Sequence, residues 1–311
     1  MKLNTERIHT IWHLTWPQCI MLLCQFVIGI TDVWAGGRIG SEVQASIGLI
    51  TQCHMMFMAL AMAAVNGAVA SISQSLGACK FVRARRYVGL VTIGCIAVGS
   101  AIAVAASVWR EPLLRLIQTP ESIMPVAIMF LTATIWGIPG QYTLTIGAAV
   151  FRSAKMVLIP LYVTGTACLL NVFGDLAFGL GWWGFPAYGA AGLAYSTLIS
   201  VTVGAALMLF LLMRHGLFTR DSFPGWRWIK AGAPYLLKVA GPAFGTSFLW
   251  QTGYMVLYVI TASLPFGRVN ALAGLTTGLR VESILFLPAV AFSMTASVLV
   301  GHALGEGNRR E

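Results

Sequence analysis

Two aspartates lie deep in apolar stretches of this chain, in company that suits cation chemistry. Asp32 falls near the end of a run that begins at about residue 14, and Asp175 falls in another at about 157 to 179, where Leu176, Ala177 and Phe178 follow it. A carboxylate at low dielectric is unfavourable, by about 2.5–3.5 kcal/mol on insertion scales, unless it takes up a proton, meets a cation or finds donors. Each acid lies about 18 residues along its run, so two helices running in the same direction place both at a similar depth. Asn171 precedes Asp175 by four residues and shares its helical face. Gln25 is two turns from Asp32 on the same face, and Thr197, on a run of opposite direction, reaches roughly the depth of Asn171. Carboxylates, amides and a hydroxyl are oxygen donors of the kind that hold H⁺ or Na⁺. Asn171 and Gln25 equally suit hydrogen bonds between helices. Glu282 is the third acid within an apolar run, and Arg280 lies two residues before it on a different helical face. That pair is a candidate polar site of its own, with a structural ion pair elsewhere as open as a role in transport.

Other chemistry has no residues to carry it. The six cysteines, Cys19, Cys24, Cys53, Cys79, Cys95 and Cys168, show no CxxC or Cys/His spacing and suit packing. There is no clustered Asp-Asp-x-x-Asp, His pair or Gly-x-Ser-x-Gly, so the expectation is a protein that is not an enzyme and has no cofactor beyond a coupling ion.

The elements that position these groups follow from composition. The chain has 311 residues, 58% hydrophobic and 10% charged, against about 45–50% and 25% in soluble domains. Eight runs are long enough to span a bilayer: about 14 to 33, 47 to 76, 88 to 109, 123 to 146, 157 to 179, 188 to 213, 239 to 264 and 275 to 303. The fold class is therefore an all-α polytopic integral membrane protein, in contact with the lipid bilayer. Fifteen of the 20 Lys and Arg fall in alternate loops on one side, including Lys2, Arg7, Lys80, Arg152, Arg214 and Arg310. Both termini are then expected in the cytoplasm, in the plasma (inner) membrane, with the first run retained as a helix. The net charge of +10 reads as a topology signal, with no nucleic acid as partner. Trp182, Trp183, Phe185 and Tyr188 suit an aromatic belt on the outer side. Pro17 and Pro139 each remove a helical hydrogen bond and are expected to kink their spans.

A repeat runs through the chain. Ser75-Leu76-Gly77-Ala78 closes span two and Ala303-Leu304-Gly305-Glu306 closes span eight, with Leu76 and Leu304 separated by 228 residues. At that offset Ala61, Ala63 and Ala68 fall on Ala289, Ala291 and Ala296; Pro17 pairs with Pro242, and Gln44-Ala45, assigned to the first outer loop, with Asn270-Ala271. Spans seven and eight thus look like a second copy of spans one and two in the same orientation. The expected organisation is a six-helix N-terminal lobe (1–215), a cytoplasmic inter-lobe linker (216–238) and the first two helices of a second lobe (239–311). A complete second copy calls for four more helices, so the chain is expected to be an incomplete form or to work with the missing helices as a partner.

In order along the chain, these pieces resemble the multidrug and toxic compound extrusion (MATE) transporters. The residues concerned are Pro17 before Asp32, Gln44-Ala45, Ser73-Gln74-Ser75-Leu76-Gly77-Ala78, Phe151-Arg152 before Pro160, and Asn171-x-x-x-Asp175. Gly189-Ala190-Ala191-Gly192-Leu193-Ala194, Arg280-Val281-Glu282, Pro288 and Val300-Gly301-His302-Ala303-Leu304-Gly305 complete the set. The resemblance implies two six-helix lobes, alternating access, and export of small cationic or amphiphilic molecules in exchange for H⁺ or Na⁺. It also implies a cation site at Asp32, Asn171, Asp175 and Thr197, which become metal ligands if the ion is Na⁺. The chain departs from the pattern in having Trp250 and Gln251 where some relatives carry an acid, and Ala154-Lys155 after the Phe-Arg pair. The competing expectation is a lipid-linked oligosaccharide flippase of the same superfamily. That activity calls for several Arg or Lys to hold pyrophosphate, and Arg280 is the one clear base within a span.

Overall fold

A backbone in hydrocarbon must satisfy its own N–H and C=O groups, so apolar runs of this length become helices. The computed structural model describes residues 5–116, 119, 121–262 and 268–307. Its helices are α1 (Thr5–Ile39), α2 (Ser41–Gly77), α3 (Phe81–Val108), α4 (Arg110–Leu116), α5 (Met124–Ser153), α6 (Leu158–Gly174), α7 (Ala190–Arg214), α8 (Trp226–Ala262) and α9 (Arg268–Glu306). Among the described residues there is no strand, and seven helices are long and apolar enough to cross a membrane. The chain is an all-α polytopic integral membrane protein. The span expected at 239–264 falls in α8, which is not among the seven, and positions 263 and 264 lie outside the described residues.

Two boundaries differ from the expected ones. Gly40 is the one non-helical residue between α1 and α2, so Gln44 and Ala45 lie in the first turns of α2 and not in a loop. Helix α8 begins at Trp226, inside the stretch assigned to a linker, because that stretch carries aromatic side chains with somewhere to dock. Trp228 meets the ring of Tyr87 on α3 edge-on at 4.9 Å, and Tyr235 lies 6.4 Å from the same ring. Ahead of α8, the backbone of Ser222 lies so close to Gly89 that a Cβ there would overlap its carbonyl.

Helix α5 runs through the middle of the bundle and serves two buried clusters. Tyr142, Ile146 and Phe151 pack with Ile72, Tyr87 and Met208 towards one end, while Phe130, Leu131 and Ile135 pack with Ala35, Leu114 and Leu193 towards the other. The Tyr142 hydroxyl donates to the Phe57 carbonyl of α2 at 2.5 Å. Outward-facing apolar side chains such as Val108, Leu169 and Leu285 are exposed, an arrangement suited to lipid and unsuited to water.

The repeat appears as a contact between equivalent helix ends. A Cβ on Gly77 of α2 would strike the backbone of His302, and a Cβ on Gly305 of α9 would strike the backbone of Gln74. Gly77 and Gly305, and likewise Gln74 and His302, are separated by 228 residues, so each contact is the repeat mate of the other. Small residues let two backbones approach in this way. Beside this crossing the His302 Nε2 lies 2.8 Å from the Ser153 carbonyl. Further along, Thr15 and Gln18 of α1 meet Thr295 of α9, with Thr15 Oγ1 at 3.0 Å and Gln18 Nε2 at 2.9 Å from Thr295 Oγ1, all three residues buried. Beyond this junction α9 is less covered, and from Ser283 to Val290 all but Leu287 are exposed.

Candidate functional site

Asp175 begins a π-helical turn, Asp175–Gly179, that continues α6. Such turns insert one residue into a helix and re-aim the side chains around it. The fit of α7 against this turn depends on glycines: a Cβ on Gly174 would lie 2.5 Å from the Ser196 Cβ, and one on Gly192 would strike the Phe178 carbonyl. Asp175 and Asn171 are fully buried as a result.

The structure brings together four of the expected residues from three helices. The carboxyl of Asp32, half-buried on α1, meets the carboxyl of Asp175 and the side chain of Asn171. Asn171 Nδ2 donates to Thr197 Oγ1 on α7 at 3.1 Å, and that hydroxyl donates to the Leu193 carbonyl at 3.2 Å. One turn away, the Cys168 thiol reaches the Cys24 carbonyl at 3.5 Å, holding α6 against α1. Three buried oxygens of the cluster have no hydrogen-bond partner: Asp32 Oδ1, Asn171 Oδ1 and Asp175 Oδ2. All three are acceptors. Two carboxylates in contact are acceptor against acceptor, and the contact becomes a bond only with a proton or another cation between them.

The other expected residues lie elsewhere. Gln25 is exposed, two turns along α1, and no hydrogen bond joins it to the cluster. Pro17 and Pro139 lie inside the continuous helices α1 and α5, Pro17 buried next to the Gln18 junction. Glu282 is held by α8, with the Tyr254 hydroxyl donating to its Oε1 at 3.2 Å. The side chain of Arg280 lies outside those described. Tyr254 also lines a hollow of about 490 Å³ with Thr246, Leu249, Trp250, Gly253 and Leu257, away from the two aspartates.

Sequence reasoning missed two features here. Ser196, buried on α7, donates its hydroxyl to Asp175 Oδ1; it precedes Thr197 by one residue and so falls on a different helical face, which left no signal in the sequence. The second is that the aromatic residues expected as a belt pack as a wall against rings of α1 and α6 beside the two acids. Trp183 stacks on Phe173 at 5.5 Å, Phe185 meets Phe178 at 5.2 Å, and Trp182 meets Trp34 of α1 at 6.1 Å. The Arg38 guanidinium lies over the Trp34 ring at 5.3 Å. The ring faces here attract cations, within a few residues of both acids.

Comparison with known proteins gives the family and the fold. The MatE family model matches residues 17–176 and 242–311. The "Probable multidrug resistance protein NorM" of Thermotoga maritima is 27% identical over 294 residues, covering 92% of this chain and 61% of that protein. The "FAD transporter" of Shewanella oneidensis is 22% identical, covering 94% of this chain and 64% of that protein. A solved structure described as the outward-facing conformation of a multidrug resistance MATE family transporter of the MOP superfamily superimposes with a TM-score of 0.86 at 21% identity. It covers 96% of this chain and 65% of that one, a likeness of fold. The chain thus spans less than two thirds of the length of these relatives.

Proposed function

The chain belongs to the MatE family, and from that premise we propose that it serves a secondary active multidrug efflux transporter and is not an enzyme. Cationic amphiphilic compounds leave in exchange for H⁺ or Na⁺ taken up between Asp32 and Asp175, by alternating access of residues 1–215 against the helices that follow 238. Residues 216–238 join the two lobes, and the basic end of the bundle, with both termini, faces the cytoplasm across the inner membrane.

The observation that carries this reading is the set of three buried acceptor oxygens without donors on Asp32, Asn171 and Asp175. A proton satisfies the carboxyl pair. Na⁺ additionally uses Asn171 Oδ1 and Thr197 Oγ1, oxygen ligands that suit a hard cation. Cation uptake neutralises the pair and weakens its hold on a cationic compound at the aromatic wall; cation loss restores that hold. Helix α1 ties this exchange to shape, because it carries Asp32 near one end and the Thr15–Gln18 contact with Thr295 near the other. Pro17 lies between Thr15 and Gln18 and leaves α1 free to bend there.

The test uses the purified chain in detergent with rhodamine 6G, a cationic dye, followed by fluorescence anisotropy. Dye is expected to bind at high pH without Na⁺ and to be displaced by acid or by added Na⁺, whichever ion couples. Asp32→Asn and Asp175→Asn should lose that displacement while melting as the unaltered chain does. Displacement that survives in Asp175→Asn would reject the assignment.

A further inference from the structure

We propose that the guanidinium groups of Arg83 and Arg86, with the aromatic pair they lie over, form a site for the headgroup phosphate of an anionic phospholipid at the joint between α3 and α8. The proposal rests on the chain being a membrane protein and stands apart from the carboxyl pair.

The rings fix the cations. Tyr87 is buried on α3, and Trp228 of α8 packs edge-on against it with centroids 4.9 Å apart. Arg83, one turn before Tyr87, places its guanidinium 5.6 Å from the centre of that ring, and Arg86 reaches from α3 to lie 5.9 Å from the centre of the Trp228 ring. Both are within the range at which a ring face attracts a cation. A guanidinium lying over a ring uses its face and keeps its N–H edge, the edge that holds a phosphate or carboxylate with two parallel bonds. Among the described residues those edges are unspent. Arg83 and Arg86 make no hydrogen bond or ion pair, and Asp221, the carboxylate of the neighbouring turn, is taken by Arg85 at 3.2 Å.

Charge and apolar surface together select the occupant. Positions 80–86 and 220–230 hold seven Lys and Arg and one acid, Asp221, so the partner is an anion. Phe81, Val82, Phe223 and Trp226, which flank these cations in the chain, are exposed and call for hydrocarbon cover. A phospholipid brings phosphate and acyl chains on one molecule. Orientation in the membrane alone would not ask for this arrangement, because it needs only positive charge, which lysine supplies as well as arginine. Since Arg86 belongs to α3 and Trp228 to α8, a phosphate held here braces the start of α8 on α3, and the bound lipid raises the melting temperature.

The experiment adds dioleoylphosphatidylglycerol, dioleoylphosphatidylcholine or inorganic phosphate to the purified full chain in dodecyl maltoside, and reads bound lipid by native mass spectrometry and the melting temperature by intrinsic fluorescence. Each basic residue near an anionic headgroup is worth about fivefold in affinity, so the pair should favour phosphatidylglycerol over phosphatidylcholine by about 25-fold, and phosphatidylglycerol alone should raise the melting temperature. Arg83→Gln with Arg86→Gln should bring the preference below about threefold. Arg83→Lys with Arg86→Lys keeps the charge, loses the two-pronged edge, and should weaken phosphatidylglycerol binding by about threefold or more; it decides the matter if the glutamine pair does not fold. Arg214→Gln, which removes an exposed cation at the end of α7, should leave binding within about twofold of the unaltered chain. An unchanged preference in the glutamine pair, undiminished binding in the lysine pair, an equal loss in Arg214→Gln, or an equal rise in melting temperature with inorganic phosphate overturns the lipid site.

Discussion

Replacing Gly305 by leucine should force α2 and α9 apart at the basic end of the bundle. A Cβ at this position would overlap the Gln74 carbonyl oxygen and lie 2.8 Å from the Ala78 nitrogen and 3.0 Å from the Gln74 carbonyl carbon. These atoms belong to the α2 backbone and the turn after it, so no change of rotamer relieves the clash. Restoring ordinary contact, near 3.5 Å, parts α2 and α9 by roughly 1 Å, which forfeits a quarter to a half of each contact's attraction. Overpacking of this kind costs about 1–3 kcal/mol, equivalent to about a 5- to 150-fold shift between joined and parted helices. Thr295→Val gives the scale for the polar alternative. It removes the hydroxyl that Thr15 and Gln18 share, but those side chains keep the Ile11 and Leu14 carbonyls as partners. About 0.6 kcal/mol, near threefold, is the expected loss for such an interhelical bond. Steric fit of the glycines, more than the polar junction, should therefore hold the helices together. Spin labels on Ile8→Cys and Leu304→Cys, both exposed positions, in a chain whose six cysteines are replaced by alanine, report the separation. Gly305→Leu should lengthen the measured distance and Thr295→Val should leave it near that of the unaltered chain. An unchanged distance in folded Gly305→Leu, or a larger change in Thr295→Val, would refute the reasoning.

Further outcomes follow from individual contacts. Lys155 adopts φ 60 in the turn after α5, so Lys155→Gly should relieve about 1–2 kcal/mol of strain and raise the melting temperature; a lower midpoint would count against it. A double-mutant cycle on Tyr87→Ala and Trp228→Ala, followed by thermal melting, should give a coupling of about 0.5–1.5 kcal/mol, and additivity would show that the start of α8 is not docked. Gly174→Ala should push α7 off the π-helical turn and weaken rhodamine 6G binding with little loss of helix content by circular dichroism. Equal binding in that variant would mean the close approach is not needed.

The meeting of Asp32 and Asp175 was legible in the sequence because rise per residue in a helix is fixed, so counting along two runs of the same direction gives depth. Thr197 followed by the same counting. Ser196 did not, since neighbours on a helix point about 100° apart, and the rotation of α7 that presents Ser196 to Asp175 is set by its packing on Gly174. The π-helical turn was hidden for another reason: Leu176, Ala177 and Phe178 are all apolar, and a run without polar residues carries no phase to betray an inserted one. Gln25 shares a face with Asp32, but sequence periodicity does not say which helices come to lie there. The start of α8 falls in the stretch assigned to the linker, where Trp228 and Tyr235 dock on Tyr87 and hold it as helix. The 228-residue offset, read from Leu76 and Leu304 with the small residues around them, reappears as the reciprocal Gly77 and Gly305 contacts, because small residues let two helices cross closely.

The central claim is that the carboxyl pair exchanges a small cation for a cationic compound. It is tested most directly by counting ions released when dye binds. Rhodamine 6G is added to the purified chain in lightly buffered detergent solution, with a pH indicator and a sodium-selective electrode read together. Dye binding to the unaltered chain should release H⁺ or Na⁺ in proportion to dye bound, and Asp175→Asn should release neither. Dye binding without ion release from the unaltered chain, or equal release from Asp175→Asn, would contradict exchange at Asp32 and Asp175.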